Sequence, residues 1–224
     1  KKIVLLGATG SIGENTLQVI RKHPDRLQLV GISAHSNAEK LAQIATEFNV
    51  PHAYLPEAAG KAENFPSATK LDRSADGLLS LASLDAADLV VIAVVGASGL
   101  SPTLASLQAG KNIVLANKES LVLGGDLVMQ TAKESQAKVL PADSEHNAIF
   151  QCIQGENQRD IDSIILTASG GPFRELPIEE LQHVTIEQAL DHPNWSMGNK
   201  VTIDSATMAN KGLELIEARW LFDL

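Results

Sequence analysis

KIVLLGATGSIGENTLQVIRK, residues 2–22, decides the fold. Ile3 to Leu6 form a short β-branched and aliphatic run of the kind that reads as a buried strand. Gly7, Gly10 and Gly13 follow at once, and Ser11 to Lys22 carries the spacing of an amphipathic helix. A strand, a glycine-rich turn and a helix in that order bring backbone amides and the positive end of a helix to one point, which suits a pyrophosphate. The glycines permit a tight turn, close approach of a ligand to the backbone and close helix packing, while Thr9 and Ser11 add hydroxyl donors. Gly7, Thr9, Gly10, Ser11, Ile12 and Gly13 are therefore the candidate dinucleotide loop. A purely structural glycine turn is the plainer alternative; the strand before and the helix after supply the context that the nucleotide motif requires.

Outward from this unit, Leu27 to Ile32, Leu89 to Val95 and Ile113 to Leu115 are strand-like, with amphipathic segments between them. That alternation means a parallel α/β sheet, and runs such as LVVIAVV, apolar on both faces, fit a sheet covered by helices on both sides. Pro56 to Leu71 has no clear period and reads as a long connection. After the strand Lys138 to Leu140 the character changes, so a boundary is expected at Pro141: residues 1–141 form a Rossmann-type nucleotide-binding domain and residues 142–224 a second α/β (α+β) domain that carries the chemistry. Ile161 to Ala168 and Lys200 to Asp204 read as strands there, with the turn SGGPF and weakly helical acidic segments between. Ala206 to Phe222 reads as one helix with Ala209, Leu213, Ile216 and Trp220 on its apolar face and Asn210, Lys211, Glu214 and Glu217 opposite.

The formal net charge of -9 leaves no global basic field for nucleic acid or an anionic membrane, so both are excluded as partners and an anionic ligand needs a local pocket. With 44% hydrophobic residues the chain can bury a core, yet its longest apolar runs fall far short of the roughly 20 residues that span a bilayer. Lys1 to Leu6 runs straight into a strand and lacks signal-peptide features; a transit peptide removed ahead of it is compatible with this start. The single cysteine, Cys152, excludes an internal disulfide and a multi-cysteine zinc site, and on the helix face beginning AIF it reads as core. A reducing compartment is the natural setting.

After the second strand the chain reads Ala34, His35, Ser36, Asn37, with no acid where an NAD enzyme holds the ribose hydroxyls, which favours NADP. Ser36 and Asn37 offer hydrogen bonds to a 2'-phosphate and His35 partial positive charge; Ser36 with Glu39 also fits a helical capping box. In PADSEHNAIFQ, Asp143 and Glu145 fall just past a strand's carboxyl end, where α/β proteins bind ligands. Two carboxylates pointing together call for a hard cation between them, while a helix cap at Asp143 or Ser144 explains the same residues equally well.

GATGSIG, ANKES, ADSEHNAIFQ, LTASGGPFRE, HPNWSMG and KVTIDSATMANKGLELIEARWLF occur here in the order seen in 1-deoxy-D-xylulose 5-phosphate reductoisomerases, and the chain resembles that family from its first strand to its last residue. The resemblance implies NADPH-dependent isomerisation and reduction of 1-deoxy-D-xylulose 5-phosphate, a small phosphorylated sugar, to 2-C-methyl-D-erythritol 4-phosphate in non-mevalonate isoprenoid synthesis. It implies a divalent metal, Mn2+, Mg2+ or Co2+, a homodimer, and a bacterial cytoplasmic or plastid-stromal setting. Position by position, it implies Asp143, Glu145 and Glu214 as metal ligands and catalytic groups, with Ser144, Glu145 and Glu214 also touching substrate. In ANKES it implies Asn117 and Glu119 as cofactor contacts and Lys118 as a substrate-binding, catalytic lysine. Ser169, His192, Ser205, Asn210 and Lys211 match the phosphate site, Gly198 a cofactor contact, and HPNWSMG with Trp195 a mobile lid. Without the resemblance, Glu214 reads as a solvated helix residue paired with Lys211, and Lys118 as an exposed lysine at a helix start.

Two departures stand out: His35 and Ser36 occupy positions where some members have Gly and Lys, and the sequence given reaches only Leu224, whereas members continue into a C-terminal helical domain. Rival readings are weaker. A semialdehyde dehydrogenase needs a nucleophilic cysteine, and a short-chain dehydrogenase needs Tyr-x-x-x-Lys, where Tyr54 has Ala58. A non-catalytic NADP-binding regulator shares the fold and is separated by metal-dependent turnover.

Overall fold

A computed structural model describes residues 1–223. The chain divides into two compact units, Lys1–Asp143 and the residues from Ser144 onward. The first runs β1 (Lys2–Leu6), α1 (Ser11–Lys22), β2 (Gln28–Ser33), α2 (Ala38–Glu47), β3 (His52–Tyr54), β4 (Lys70–Asp72), α3 (Gly77–Ala82), β5 (Leu89–Ile92), α4 (Leu100–Gln108), β6 (Asn112–Leu115), α5 (Lys118–Glu134) and β7 (Val139–Pro141). Its strands make one seven-stranded sheet in the order β4-β3-β2-β1-β5-β6-β7. Each neighbouring pair is parallel. Val4, Leu5 and Leu6 are fully buried, so β1 is covered on both faces, and Leu17 and Ile20 turn α1 onto the sheet. Because β2 leaves β1 on one side and β5 joins it on the other, the strand order reverses at β1, and the crevice beyond the carboxyl ends of β1 and β5 is where such sheets take ligands. Two three-residue strands, β3 and β4, extend the sheet around the long connection.

The second unit contains α6 (Ser144–Cys152), α7 (Ile186–Leu190), α8 (Asn199–Ala206) and α9 (Ala209–Phe222), with a 3-10 segment at Ile178–His183. Here several expectations are corrected. Ile161 to Ala168 is irregular rather than a strand, and Ile165 is exposed, because none of the described residues of this unit offers an edge to pair with. Lys200 to Asp204 lies within α8. Its β-branched residues only weakly oppose a helix, while Lys200 pairs with Asp204 at 2.7 Å along the helix and the Thr202 and Ser205 hydroxyls bond to carbonyls one turn back. The single helix expected from Ala206 is two, broken at Met208, which takes a left-handed φ of 61°. Most tellingly, α9 is turned the other way: Glu214 and Glu217 are each 1% exposed, while Ile216 is 42% exposed and Trp220 is only partly buried. Cys152 is likewise exposed, not core.

Candidate active site

In the first unit the glycine loop has a steric explanation at two positions. Gly7 has φ +87°, and a Cβ there would lie 2.4 Å from the carbonyl oxygen of Ala93 at the end of β5. A Cβ on Gly13 would lie 2.4 Å from the Gly7 carbonyl oxygen, so α1 can approach the loop only with glycine there. Gly10 is the N-cap of α1 and brings no side-chain cap to its first-turn amides. That arrangement suits an anion at the helix start. The end of β2 is tied to the loop through Ser33, whose carbonyl accepts from Ala8 N at 2.8 Å and whose hydroxyl accepts from Gly7 N at 3.1 Å.

His35, Ser36 and Asn37 follow on the surface. The capping box expected at Ser36 is corrected: Asn37 is the N-cap of α2, its side-chain oxygen accepting from Lys40 N at 3.0 Å, because the helix begins one residue later. Lys40, which the sequence reading passed over, reaches the glycine loop, its ammonium 3.4 Å from the Thr9 carbonyl and 3.3 Å from Glu14. An i to i+3 spacing from the cap was the available signal.

At the start of α5, Asn117 is buried. Its Nδ2 donates to the carbonyls of Val94 and Gly96 and to Glu119, and its Oδ1 caps Ser120 N at 2.9 Å. A Cβ on Gly99 would collide with that amide at 2.3 Å. These bonds make Asn117 the residue that shapes the loop after β5. They also fix the first turn of α5, from which Lys118 forms an ion pair with Asp143 at 2.5 Å, the lysine side chain only 15% exposed. The exposed-lysine alternative for Lys118 is thereby displaced.

In the second unit, Glu145 on α6 and Glu214 on α9 offer oxygens within 4.8 Å of one another. Lys211 sits with them: its ammonium is 3.0 Å from Glu145 and also bonds Glu214 and the Thr167 carbonyl. Burial pushes the Glu145 carboxyl up, but hydrogen bonds from Ser144 and Lys211 outweigh it and hold the group below the usual carboxylate range. Asn210 donates to the other oxygen of Glu214. A carboxylate as buried as Glu214 demands a positive partner, and the Lys211 ammonium, gathered by two acids and a carbonyl, shows that these oxygens accommodate a cation. All are hard oxygen donors, the set that Mg2+ or Mn2+ takes.

Beside them, Ser169, Ser205, Asn210, Lys211 and Glu145 line one small concavity. Gly171 allows it: at φ +69° it packs so close to α8 that a Cβ would lie 2.6 Å from the Ser205 carbonyl. His192 is buried. Its Nδ1 accepts from the amides of Asn194 and Trp195 at 3.2 and 3.1 Å, so the ring proton sits on Nε2, which donates to the Ser169 hydroxyl at 3.0 Å. The histidine thus ties the loop bearing Trp195 to the turn bearing Ser169. Trp195 itself is 63% exposed. Gly198 begins α8 with an extended backbone that any residue adopts.

A parallel doubly wound sheet with a glycine loop at its switch point defines the class, a dinucleotide-type α/β protein, whose second unit gathers acids, a lysine and neutral donors. Comparison with known proteins narrows this. Residues 3–125 match the family described as 1-deoxy-D-xylulose 5-phosphate reductoisomerase, and residues 139–222 match that described as 1-deoxy-D-xylulose 5-phosphate reductoisomerase C-terminal domain. The chain belongs to the 1-deoxy-D-xylulose 5-phosphate reductoisomerase family. The enzyme of that name from Clostridium novyi (strain NT) is 49% identical over 230 residues, covering 100% of this chain and 60% of the relative. That of Bacillus cereus (strain Q1) is 51% identical over 226 residues with the same coverage. A solved DOX-P reductoisomerase in complex with NADPH, fosmidomycin and magnesium superposes with a TM-score of 0.87 at 46% identity, covering 100% of this chain and 59% of that one. The Zymomonas mobilis enzyme in complex with NADPH gives the same TM-score at 42% identity and the same coverage. The chain therefore spans about 60% of the length of the curated relatives it matches.

Proposed function

We propose that this chain is the cofactor-binding and catalytic part of an NADPH- and divalent-metal-dependent reductoisomerase that converts 1-deoxy-D-xylulose 5-phosphate to 2-C-methyl-D-erythritol 4-phosphate. The observation that carries the reading is the Glu145–Lys211–Glu214 cluster set beside Ser169, Ser205 and Asn210, carboxylates and an ammonium next to neutral donors, in a chain of this family. Relatives with NADPH, magnesium and fosmidomycin bound support the cofactor set. In this reading Asp143, two residues before Glu145, joins Glu145 and Glu214 as the third metal ligand. When bound, the metal supplies Lewis acidity toward the substrate's carbonyl and hydroxyl oxygens, and NADPH supplies the reducing equivalent.

The chain's own groups do the rest. Ser169, Ser205, Asn210 and His192 hold the substrate phosphate. Lys211 pairs with Glu145 and Glu214 in this structure, and with a metal held by those acids it would be free to serve the phosphate, since an ammonium and a dication compete for the same oxygens. Lys118 donates to a substrate oxygen and is the candidate for moving a proton there. Glu119, Gly198 and the residues of the glycine loop serve the cofactor. The loop with Trp195 closes over the substrate and excludes water. A homodimer working in a bacterial cytoplasm completes the reading, supported by the family resemblance and by bacterial relatives. No helix among the described residues is long and apolar enough to cross a membrane.

Two expected results follow from this reading. Ser36→Asp places a carboxylate where the 2'-phosphate of NADPH is to be bound, so the KM for NADPH should rise about tenfold, the scale of one lost charge-assisted contact, while that for NADH changes little. Equal KM values for NADPH in the two proteins would move the 2'-phosphate elsewhere. Fosmidomycin or substrate should shift and protect the fluorescence of Trp195, measured in a Trp220→Phe background because Trp220 is itself partly exposed. An emission spectrum indifferent to saturating ligand would remove Trp195 from the lid.

A further inference from the structure

His146 and Glu217 are ionisable, 0% and 1% exposed, and unused by the chemistry above. His146 directly follows Glu145 on α6, and Glu217 lies about one turn beyond Glu214 on α9. The Nε2 atom of His146 is 2.9 Å from the backbone carbonyl of Glu214. A carbonyl only accepts, so Nε2 carries the proton and donates it. The opposite ring nitrogen, Nδ1, faces a Glu217 oxygen at 3.6 Å. The ring also stacks on Phe222, centroids 6.2 Å apart and planes within 9°. One imidazole therefore spans from the neighbour of one acidic residue to the backbone of the other. Burying an imidazole against a carboxylate is costly, and an apolar pair of like volume would join the two helices more cheaply.

We propose that His146 and Glu217 are positioning residues that set the spacing of Glu145 and Glu214 and thereby favour a small, rigidly octahedral cation. The inference rests on the reading of Glu145 and Glu214 as metal ligands. Mg2+ demands oxygens near about 2.0–2.1 Å in octahedral array, whereas Ca2+ accepts about 2.3–2.6 Å in flexible geometry, so loosening the two helices weakens Mg2+ far more than Ca2+.

The test is calorimetric titration of the intact protein with Mg2+ alone and with Ca2+ alone, alongside NADPH titration and thermal melting. His146→Leu should raise the Mg2+ Kd about 10–100-fold, as loss of a group that orients a ligand does, with a clearly smaller change for Ca2+ and none for NADPH. His146→Gln, whose amide still donates to the Glu214 carbonyl, should restore most Mg2+ affinity. Glu217→Gln should shift the Mg2+/Ca2+ ratio in the same direction as His146→Leu, and it decides the matter should His146→Leu not fold. Equal weakening of both ions, or an unchanged ratio in Glu217→Gln, overturns the proposal. Glu214→Gln separates the two levels. If it binds Mg2+ like the unaltered protein, the metal reading itself fails; if it loses Mg2+ while the His146 and Glu217 variants do not, only the positioning role fails.

Discussion

Glu214→Gln should abolish most metal-dependent turnover while leaving NADPH binding intact. The substitution keeps the shape of the side chain and removes its charge. Glu214 is almost completely buried on α9, its two oxygens engaged by Asn210 and Lys211, within reach of Glu145. Three carboxylates would leave substrate oxygens and water to complete a six-oxygen shell; two leave a weaker site and one fewer negative charge against the dication. The expected fall in turnover is about a hundredfold or more, the scale on which a single preorganised electrostatic contact acts in a transition state, with metal affinity falling in parallel. Steady-state kinetics across a metal titration, with fluorescence titration of NADPH as control, check it. Turnover within about threefold of the unaltered enzyme at saturating metal, where an electrostatic ligand acts by orders of magnitude, would leave Glu214 with a structural role only.

The second large effect lies in the sheet. Gly7→Ala must force an L-residue into φ +87° and a methyl group to within 2.4 Å of the Ala93 carbonyl oxygen. A strained φ costs about 1–3 kcal/mol and overpacking a similar amount. The sum, about 2–6 kcal/mol, is a large part of the stability of a typical domain, so melting should fall by several degrees to about 20 °C and NADPH affinity should collapse with the loop. Gly60→Ala is the matched control. Gly60 has φ +80° but nothing within 4 Å of an added Cβ, so only the backbone cost of about 1–3 kcal/mol applies. Melting curves of the two variants that coincide would show that close approach at β5 contributes nothing.

The contrast between these glycines marks how far the sequence could be read. β1, the glycine loop and α1 were legible because strand, turn and helix signals agree over residues 2–22, and consistency across levels is what specifies a fold. The three-residue strands β3 and β4 were not, since runs so short carry no period and are fixed by pairing to β2 and to each other. The second unit was misread where a local pattern competed with tertiary demands. KVTID alternates like a strand yet forms α8 through its own i, i+4 bonds. In α9 the expected apolar stripe of Ala209, Leu213, Ile216 and Trp220 is not the buried face, Ile216 being exposed, while Glu214 is turned inward with contacts to Lys211, Asn210 and His146. A pattern of hydrophobicity assumes that burial follows apolarity; at a site built from carboxylates it does not. The resemblance to a family supplied Glu214, His192 and the two serines. Spacing alone supplied Asp143 and Glu145 only as one of two equal readings. Nothing in the sequence flagged His146, and Lys40 was marked only by its i to i+3 spacing from the Asn37 cap; both matter because of where α2 and α6 carry them.

The most direct test of the account follows the absorbance of NADPH during incubation of the intact protein with 1-deoxy-D-xylulose 5-phosphate, with and without Mg2+ or Mn2+. The account predicts oxidation of NADPH that requires both the sugar phosphate and the metal, stops on chelation, resumes when metal is restored, and yields 2-C-methyl-D-erythritol 4-phosphate. Oxidation at an equal rate in the presence of a chelator, or NADPH binding with no turnover under any metal, would contradict it.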